Sequence, residues 1–144
     1  MKKAMILLVS GLLAMSGTAL AQTSADTNKS LDDLFGHHQP YADFFSKLQT
    51  AVGSGDKQAV AGMVDYPFQA RIGGKAVKIN DAKHFVADYD KIVTTKVKGA
   101  VAKQTYPTLF ANWQGVMIGE GEVWFAETGK DEKHMAVKIT AIND

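Results

Sequence analysis

The stretch LFANWQGVMIGEGEVWFAE, residues 109–127, decides the fold. It contains two runs rich in apolar residues, which predict strands over Leu109–Ile118 and Glu122–Glu127. The segment Gly119-Glu120-Gly121 between them favours a short turn. A polar loop follows, and a third strand-like run covers His134–Ile142. Because short connections join these three runs, they predict an antiparallel meander.

Helical periodicity dominates the part of the chain that precedes the meander. An amphipathic helix that ends at Gly53 is predicted by apolar residues spaced three and four apart, namely Tyr41, Phe44, Phe45, Leu48 and Val52. Farther along, Gly73-Gly74 separates two short strand-like runs, Pro67–Ile72 and Lys75–Ile79. A glycine pair in that position predicts a β-hairpin.

This order of elements indicates the fold class. Helices come first, strands follow, and the regular β-α-β alternation of a parallel sheet is missing. We therefore expect an α+β fold in which N-terminal helices pack on a curved antiparallel sheet of about five strands. The concave side of such a sheet can hold a small ligand or be filled by side chains. The expected single domain covers residues 41–144.

The first 21 residues have the pattern of a secretory signal peptide. Lys2 and Lys3 precede an apolar run of about a dozen residues, and Ala19-Leu20-Ala21 forms an A-x-A cleavage site. The run is shorter than the roughly 20 apolar residues that a membrane-spanning helix needs. We expect cleavage near Ala21 and a periplasmic or secreted protein without a membrane anchor. The polar segment 22–40 is predicted to be a flexible leader.

Composition excludes several classes of function. Removing residues 1–21 takes away two lysines and no acid, so the formal net charge falls from +1 to −1. This balance argues against nucleic-acid binding, which needs a basic surface. The chain has no cysteine, and it therefore has neither disulfides nor thiol chemistry. We expect no cofactor and no metal site, because His37-His38 are adjacent residues that seldom converge on one ion.

Three segments resemble a known family of folds. They are Tyr66-Pro67-Phe68, Tyr89-Asp90-Lys91-Ile92 and, most specifically, Gly115–Phe125. Together with the order of elements, they are similar to small exported bacterial proteins that resemble the nuclear-transport-factor-2-like (SnoaL-like, cystatin-like) superfamily. The resemblance covers roughly residues 41–143 and implies a cone-shaped α+β roll. It does not imply a particular function, because this superfamily contains enzymes, ligand binders and immunity proteins.

The glycine-rich segment offers the first candidate ligand site. Trp113 and Trp124 lie near Glu122 in the sequence, and together they can line a pocket that stacks a ligand and hydrogen-bonds it. The alternative is structural: the glycines serve turns and bulges while the aromatic rings pack the sheet. Two further pocket candidates, Tyr66 and Arg71, flank the first strand of the hairpin, and Arg71 can hold an anion.

Asp90 is the one catalytic candidate. A buried Asp90 beside Tyr89 can act as a general base if burial raises its pKa. The alternative is a solvated acidic residue on a charged helix face, with Tyr89 in the core. Neither a G-x-S-x-G elbow nor an H-E-x-x-H motif is present.

Three functions are consistent with these features. The leading hypothesis is an exported, non-catalytic module that binds a small molecule or an envelope protein. The second is a small-molecule isomerase or hydratase that uses a pocket carboxylate. The third is an inhibitor or immunity protein that acts on an envelope enzyme or toxin through the loop Thr128–Lys133.

A homodimer is also predicted. The run Leu109–Ile118 has apolar residues on both faces of the expected strand, which exceeds what one core requires. Leu109, Trp113 and Met117 are expected on one face, and Phe110, Val116 and Ile118 on the other. Two copies can therefore pair through the open face of the sheet.

Overall fold

The computed structural model describes residues Leu20–Asp144. The predicted signal peptide lies almost entirely outside these residues. The elements, in chain order, are α1 (Ser24–Phe35), α2 (Gln39–Gly53), α3 (Lys57–Gly62), β1 (Phe68–Ile72), β2 (Lys75–Ile79), α4 (Ala82–Ala87), α5 (Tyr89–Ile92), α6 (Thr95–Lys103), β3 (Phe110–Asn112), β4 (Gly115–Ile118), β5 (Val123–Thr128) and β6 (Ala136–Ile142). Within the described residues, no helix combines the length and apolar character that a membrane crossing requires.

The fold is α+β, as the order of elements predicted, but its strands form two sheets. β1 and β2 form the expected antiparallel hairpin around Gly73-Gly74, and both glycines have positive φ. The second sheet has the antiparallel order β3-β4-β5-β6. The meander is therefore confirmed, but the described residues form two sheets rather than the expected single sheet of about five strands.

The predicted strand Leu109–Ile118 is a hairpin. The side-chain Oδ1 of Asn112 accepts a hydrogen bond of 2.8 Å from the backbone N–H of Gln114, which turns the chain at Trp113. Gly115 follows with a φ of 137°, and a Cβ there would come within 2.6 Å of the Phe125 carbonyl oxygen. The expected distribution of side chains was therefore wrong: the turn places Phe110 opposite Met117 on one face, whereas Val116 is buried on the other.

The predicted flexible leader contains an ordered helix, α1. Thr23 and Asp26 form a reciprocal capping box at its start. Leu31 is 0% exposed, and the buried Thr27 donates a hydrogen bond to the carbonyls of Tyr106 and Pro107. The polar composition gave the wrong prediction because a few specific contacts, rather than an apolar stripe, hold this helix.

The core lies between α2 and the inner face of the four-stranded sheet. All five residues of the predicted α2 stripe are buried, which confirms that helix. The Phe44 ring lies 5.0 Å from the Phe125 ring of β5, and the Tyr41 ring lies 6.4 Å from it. Large side chains therefore fill the space between α2 and the sheet.

A short extended segment connects α3 to the outer edge of β6. The backbone N–H of Ile139 donates to the Met63 carbonyl over 2.7 Å, and the N–H of Asp65 donates to the Ile139 carbonyl over 3.0 Å. The segment runs parallel to β6 at a single bridge, Val64–Ile139. This contact joins the hairpin half of the chain to the larger sheet.

Candidate functional site

The outer face of the four-stranded sheet carries an apolar row that crosses all four strands. The antiparallel register pairs Phe110 with Met117, Met117 with Trp124, and Trp124 with Ala141. Directly paired residues project on the same face, so these four side chains lie side by side. Helices cover the opposite face, whereas Phe110 is 50% exposed on this one. We call these four residues the outer row.

The geometry at Trp124 depends on its neighbours in the row and in the preceding turn. The Phe110 ring meets the Trp124 ring edge to face, with the centroids 6.5 Å apart. Gly121 has a φ of 116°, and a Cβ there would lie 3.6 Å from Trp124 Nε1 and 3.9 Å from Met117 Sδ. Only glycine accepts this conformation easily, which lets the turn pass close to the indole.

Trp113 is the most exposed aromatic residue described. It lies in the β3–β4 turn and is 82% exposed. Large apolar side chains in this state usually mark an interaction surface when they adjoin other exposed apolar residues. Phe110 is the first residue of β3 and Trp113 follows its last residue, so the two exposed rings lie at opposite ends of the β3 edge.

Both ends of the outer face carry charges of mixed sign, because Lys96 lines the groove with Glu122 and Asp144, and Asp65 and Glu127 line the groove with Lys138. At one end, Glu122 accepts a 2.6 Å hydrogen bond from the backbone N–H of Glu120 and lines a groove of about 360 Å³ with Trp124 and Asp144. At the other end, Lys138 is paired with Ala126 on β5, and its Nζ donates to the Gly62 carbonyl over 2.9 Å. Among the described residues, no ion pair involves Glu122, Asp144 or Lys138.

A larger groove lies between Tyr66 and the β5–β6 loop. It has a volume of about 940 Å³, and Glu127 and Lys130 contribute to its lining. Tyr66 donates a hydrogen bond of 2.7 Å to the Ala61 carbonyl, and burial raises the pKa of its hydroxyl to about 12. His37 Nε2 lies 2.7 Å from Glu127 Oε1. The loop that was predicted to act as an inhibitor forms one wall of this groove.

The environment of Asp90 is wrong for a buried general base. Its side chain is 65% exposed and forms ion pairs with Lys57 at 2.7 Å and with Lys98 at 3.5 Å. The hydrogen bond from Lys57 lowers the pKa of Asp90, whereas a base poised near neutral pH needs the opposite shift. The structure therefore removes the carboxylate on which the isomerase hypothesis depended.

Tyr89, the neighbour of Asp90, is a core residue. It is buried against Phe85, with the ring centroids 6.1 Å apart. The ammonium groups of Lys57 and Lys98 lie 5.5 Å and 5.7 Å from the centre of its ring. Burial, followed by the charge of Asp90, raises the pKa of its hydroxyl. That hydroxyl has no hydrogen-bond partner among the described residues.

The predicted ligand residues do not converge on one pocket. Trp124 and Glu122 line the same groove, and Trp113 lies in the turn at the edge of that sheet. Tyr66 lines the separate loop groove. Arg71 is exposed on the β1–β2 hairpin, where its guanidinium donates to the Gly74 carbonyl over 3.4 Å.

The adjacent histidines contact different carboxylates. His37 contacts Glu127, whereas His38 Nδ1 lies 2.9 Å from Asp32 Oδ1. Across Leu20–Asp144, no three histidine or acidic side chains are placed to hold a metal ion together. These two contacts instead connect the α1–α2 corner with β5 and with the end of α1.

Sequence reasoning missed the outer row, in which the β3–β4 turn places Phe110 beside Met117. The available signal was Asn112 three residues before Gly115. Comparisons with protein-family models, with curated proteins and with solved structures found no significant match.

Proposed function

We propose that this chain is an exported, non-catalytic module that binds another protein through the outer face of its four-stranded sheet. In this proposal the helices and the sheet form a cystatin-like cone of the nuclear-transport-factor-2-like type. The order of helices followed by an antiparallel meander supports that architecture. The signal-like N-terminal sequence supports export to the periplasm or the medium.

The observation that carries the proposal is the uncovered outer row together with Trp113. Aromatic residues are enriched in protein interfaces, and burying apolar surface there stabilises a complex by about 25 cal/mol per Å². The inner face of the same sheet is covered by α2, whereas the outer face is accessible to a partner. Catalysis finds no support in Asp90, whose carboxylate lies in solvent and is paired with two lysines.

A photo-crosslinking residue at position 113 tests this function in the exporting cell. We expect irradiation to give one discrete adduct, because Trp113 is exposed in the turn that follows β3, the strand that carries Phe110. The matched control places the same residue at position 34, where Leu34 is also exposed but lies on α1. Adding Phe110→Glu should abolish the adduct. No adduct at position 113, or an equal one from position 34, would refute a partner on this face.

A second candidate function is the binding of a small zwitterionic molecule in the loop groove. It is favoured by the presence of both charge signs in that groove, in Lys130 and in Glu127, beside the Tyr66 ring. Thermal shift measurements with amino acids and short peptides test it. This function is supported if a ligand stabilises the protein, Lys130→Ala removes that stabilisation and Lys75→Ala on β2 leaves it intact. It is excluded if none of the amino acids and peptides stabilises the protein.

A further inference from the structure

The hairpin β1–β2 forms a sheet of its own, and its β2 edge is open. Within the described chain, β2 pairs with β1 and with no other strand. In a hairpin with a two-residue turn, the pair beside the turn is hydrogen-bonded, and bonded pairs alternate along the strands. Because Ile72 and Lys75 are that pair, the backbone N–H and C=O groups of Ala76 and Lys78 point away from β1. Among the described residues, no backbone hydrogen bond joins β2 to a segment outside the hairpin.

The charged side chains of this hairpin are all cationic. Residues 66–80 include Arg71, Lys75 and Lys78 and neither aspartate nor glutamate, although the charges of the whole chain are nearly balanced. All three side chains are exposed, and none forms an ion pair with another described residue. Arg71 lies opposite Ala76, so Arg71 and Lys78 project on the same exposed face of the hairpin.

The charged groups around the hairpin leave the β2 edge positive. Asp81 follows β2, but it accepts a hydrogen bond from the backbone N–H of His84 and lies 2.7 Å from the Nδ1 of that residue. Lys83 on α4 adds a further cation at the same end. Asp65, which precedes β1, lies beside β6 instead. The two acids at α5, a helix that packs against β1, are each paired with lysine.

We propose that the open edge of β2 binds an extended acidic segment of another exported protein, which adds to the hairpin as a third strand. Main-chain hydrogen bonds to Ala76 and Lys78 hold the added strand, and acidic side chains at alternate positions meet Lys78 and Arg71. A two-stranded sheet is marginally stable by itself, so a third strand also stabilises the hairpin. This edge and the outer face belong to different sheets, and the inference does not depend on the proposed function.

The charges disfavour the other strands that have access to this edge. A second copy that paired through β2 would bring its lysines near the same lysines of its partner, and like charges on paired strands oppose association. Residues 1–19 carry Lys2 and Lys3 and no acid, so they have the same disadvantage. Edge lysines commonly prevent unwanted strand pairing, and the same charges favour an acidic strand over a neutral or basic one.

Fluorescence anisotropy with residues 22–144 tests the inference. The probe is a labelled peptide of about seven residues in which glutamate and valine alternate, long enough to span β2. The control peptide has lysine in place of glutamate. We expect the glutamate peptide to bind at least about tenfold more tightly than the lysine peptide. Amide hydrogen exchange should show that the N–H groups of Ala76 and Lys78 become protected only in the complex.

Two pairs of variants separate strand addition from simple charge attraction. Ala76→Pro removes an outward N–H and should weaken binding at least about tenfold, whereas Ala76→Val keeps that N–H and should change binding by less than about twofold. Lys78→Glu leaves the backbone edge intact and should also weaken binding about tenfold. Lys47→Glu, at an exposed lysine on α2, is its matched control and should have no such effect. Circular dichroism checks that each variant is folded.

Several results would overturn the inference. They are the absence of binding at about 1 mM peptide, equal binding of the two peptides, and binding that Ala76→Pro leaves unchanged. Attachment to vesicles of phosphatidylglycerol without binding of the peptide would assign the cations to an anionic lipid surface instead. The adduct formed from position 113 reports on the other sheet, so each of these results leaves the proposed function intact.

Discussion

Leu31→Ala is expected to destabilise the protein strongly, although Leu31 lies in a segment whose composition resembles that of a flexible leader. Its side chain is 0% exposed and is the one buried apolar side chain of α1. Replacing a buried leucine by alanine typically costs about 2–5 kcal/mol, from lost burial and from the cavity that is left. Urea denaturation of residues 22–144 measures this cost as a change in the free energy of unfolding.

Leu34→Ala is the matched control. Leu34 lies on the same helix but is 42% exposed, and the change in helix propensity is the same for both substitutions. We expect Leu34→Ala to change the free energy of unfolding by no more than about 0.5 kcal/mol. Equal effects of the two substitutions, or no effect of Leu31→Ala, would show that α1 is not packed on the domain.

Two further predictions concern backbone conformation and alkaline pH. Gly115→Ala should destabilise the folded protein by more than about 1 kcal/mol, because φ is 137° and the new Cβ would meet the Phe125 carbonyl. Gly99→Ala, inside α6 with open space around it, should stabilise the folded protein by about 0.5–1 kcal/mol. Thermal unfolding compares the two variants, and equal shifts in unfolding temperature would contradict this account. Burial raises the pKa of both Tyr41 and Tyr66 to about 12 from 10.0. The folded state then retains protons that the unfolded state loses, so the stability is fully present below about pH 10 and falls between about pH 10 and 12. Urea unfolding across that interval measures the fall, Tyr66→Phe should reduce its slope, and a flat profile would be inconsistent with buried phenols.

The sequence allowed candidate site residues to be selected by chemical type, but it did not predict their surroundings. Trp124 and Glu122 were expected near each other, and they line one groove because they lie two positions apart, at the start of a strand and the end of the turn before it. Asp90 and Tyr89 are adjacent in sequence, yet one is in solvent and the other in the core. Which side of a short helix faces inward depends on what packs against it, and a single sequence does not show that.

The sequence by itself predicted the elements that depend on short-range patterns. The α2 stripe, the hairpin at Gly73-Gly74 and the antiparallel meander each follow from side-chain period or from turn residues within a few positions. Export is likewise an expectation of the N-terminal sequence alone.

Tertiary structure decided the features that depend on contacts between distant residues. Thr27 holds α1 through a hydrogen bond to a carbonyl about 80 positions away, and Leu31 holds it by packing in the core. The polar sequence around these residues therefore did not predict the helix. The turn at Trp113 reverses which side of the sheet residues 115–118 face, and it thereby places Phe110 beside Met117 in the outer row. Alternation along a strand has a period of two, so one unrecognised turn is enough to change the face of every later residue of the predicted strand Leu109–Ile118.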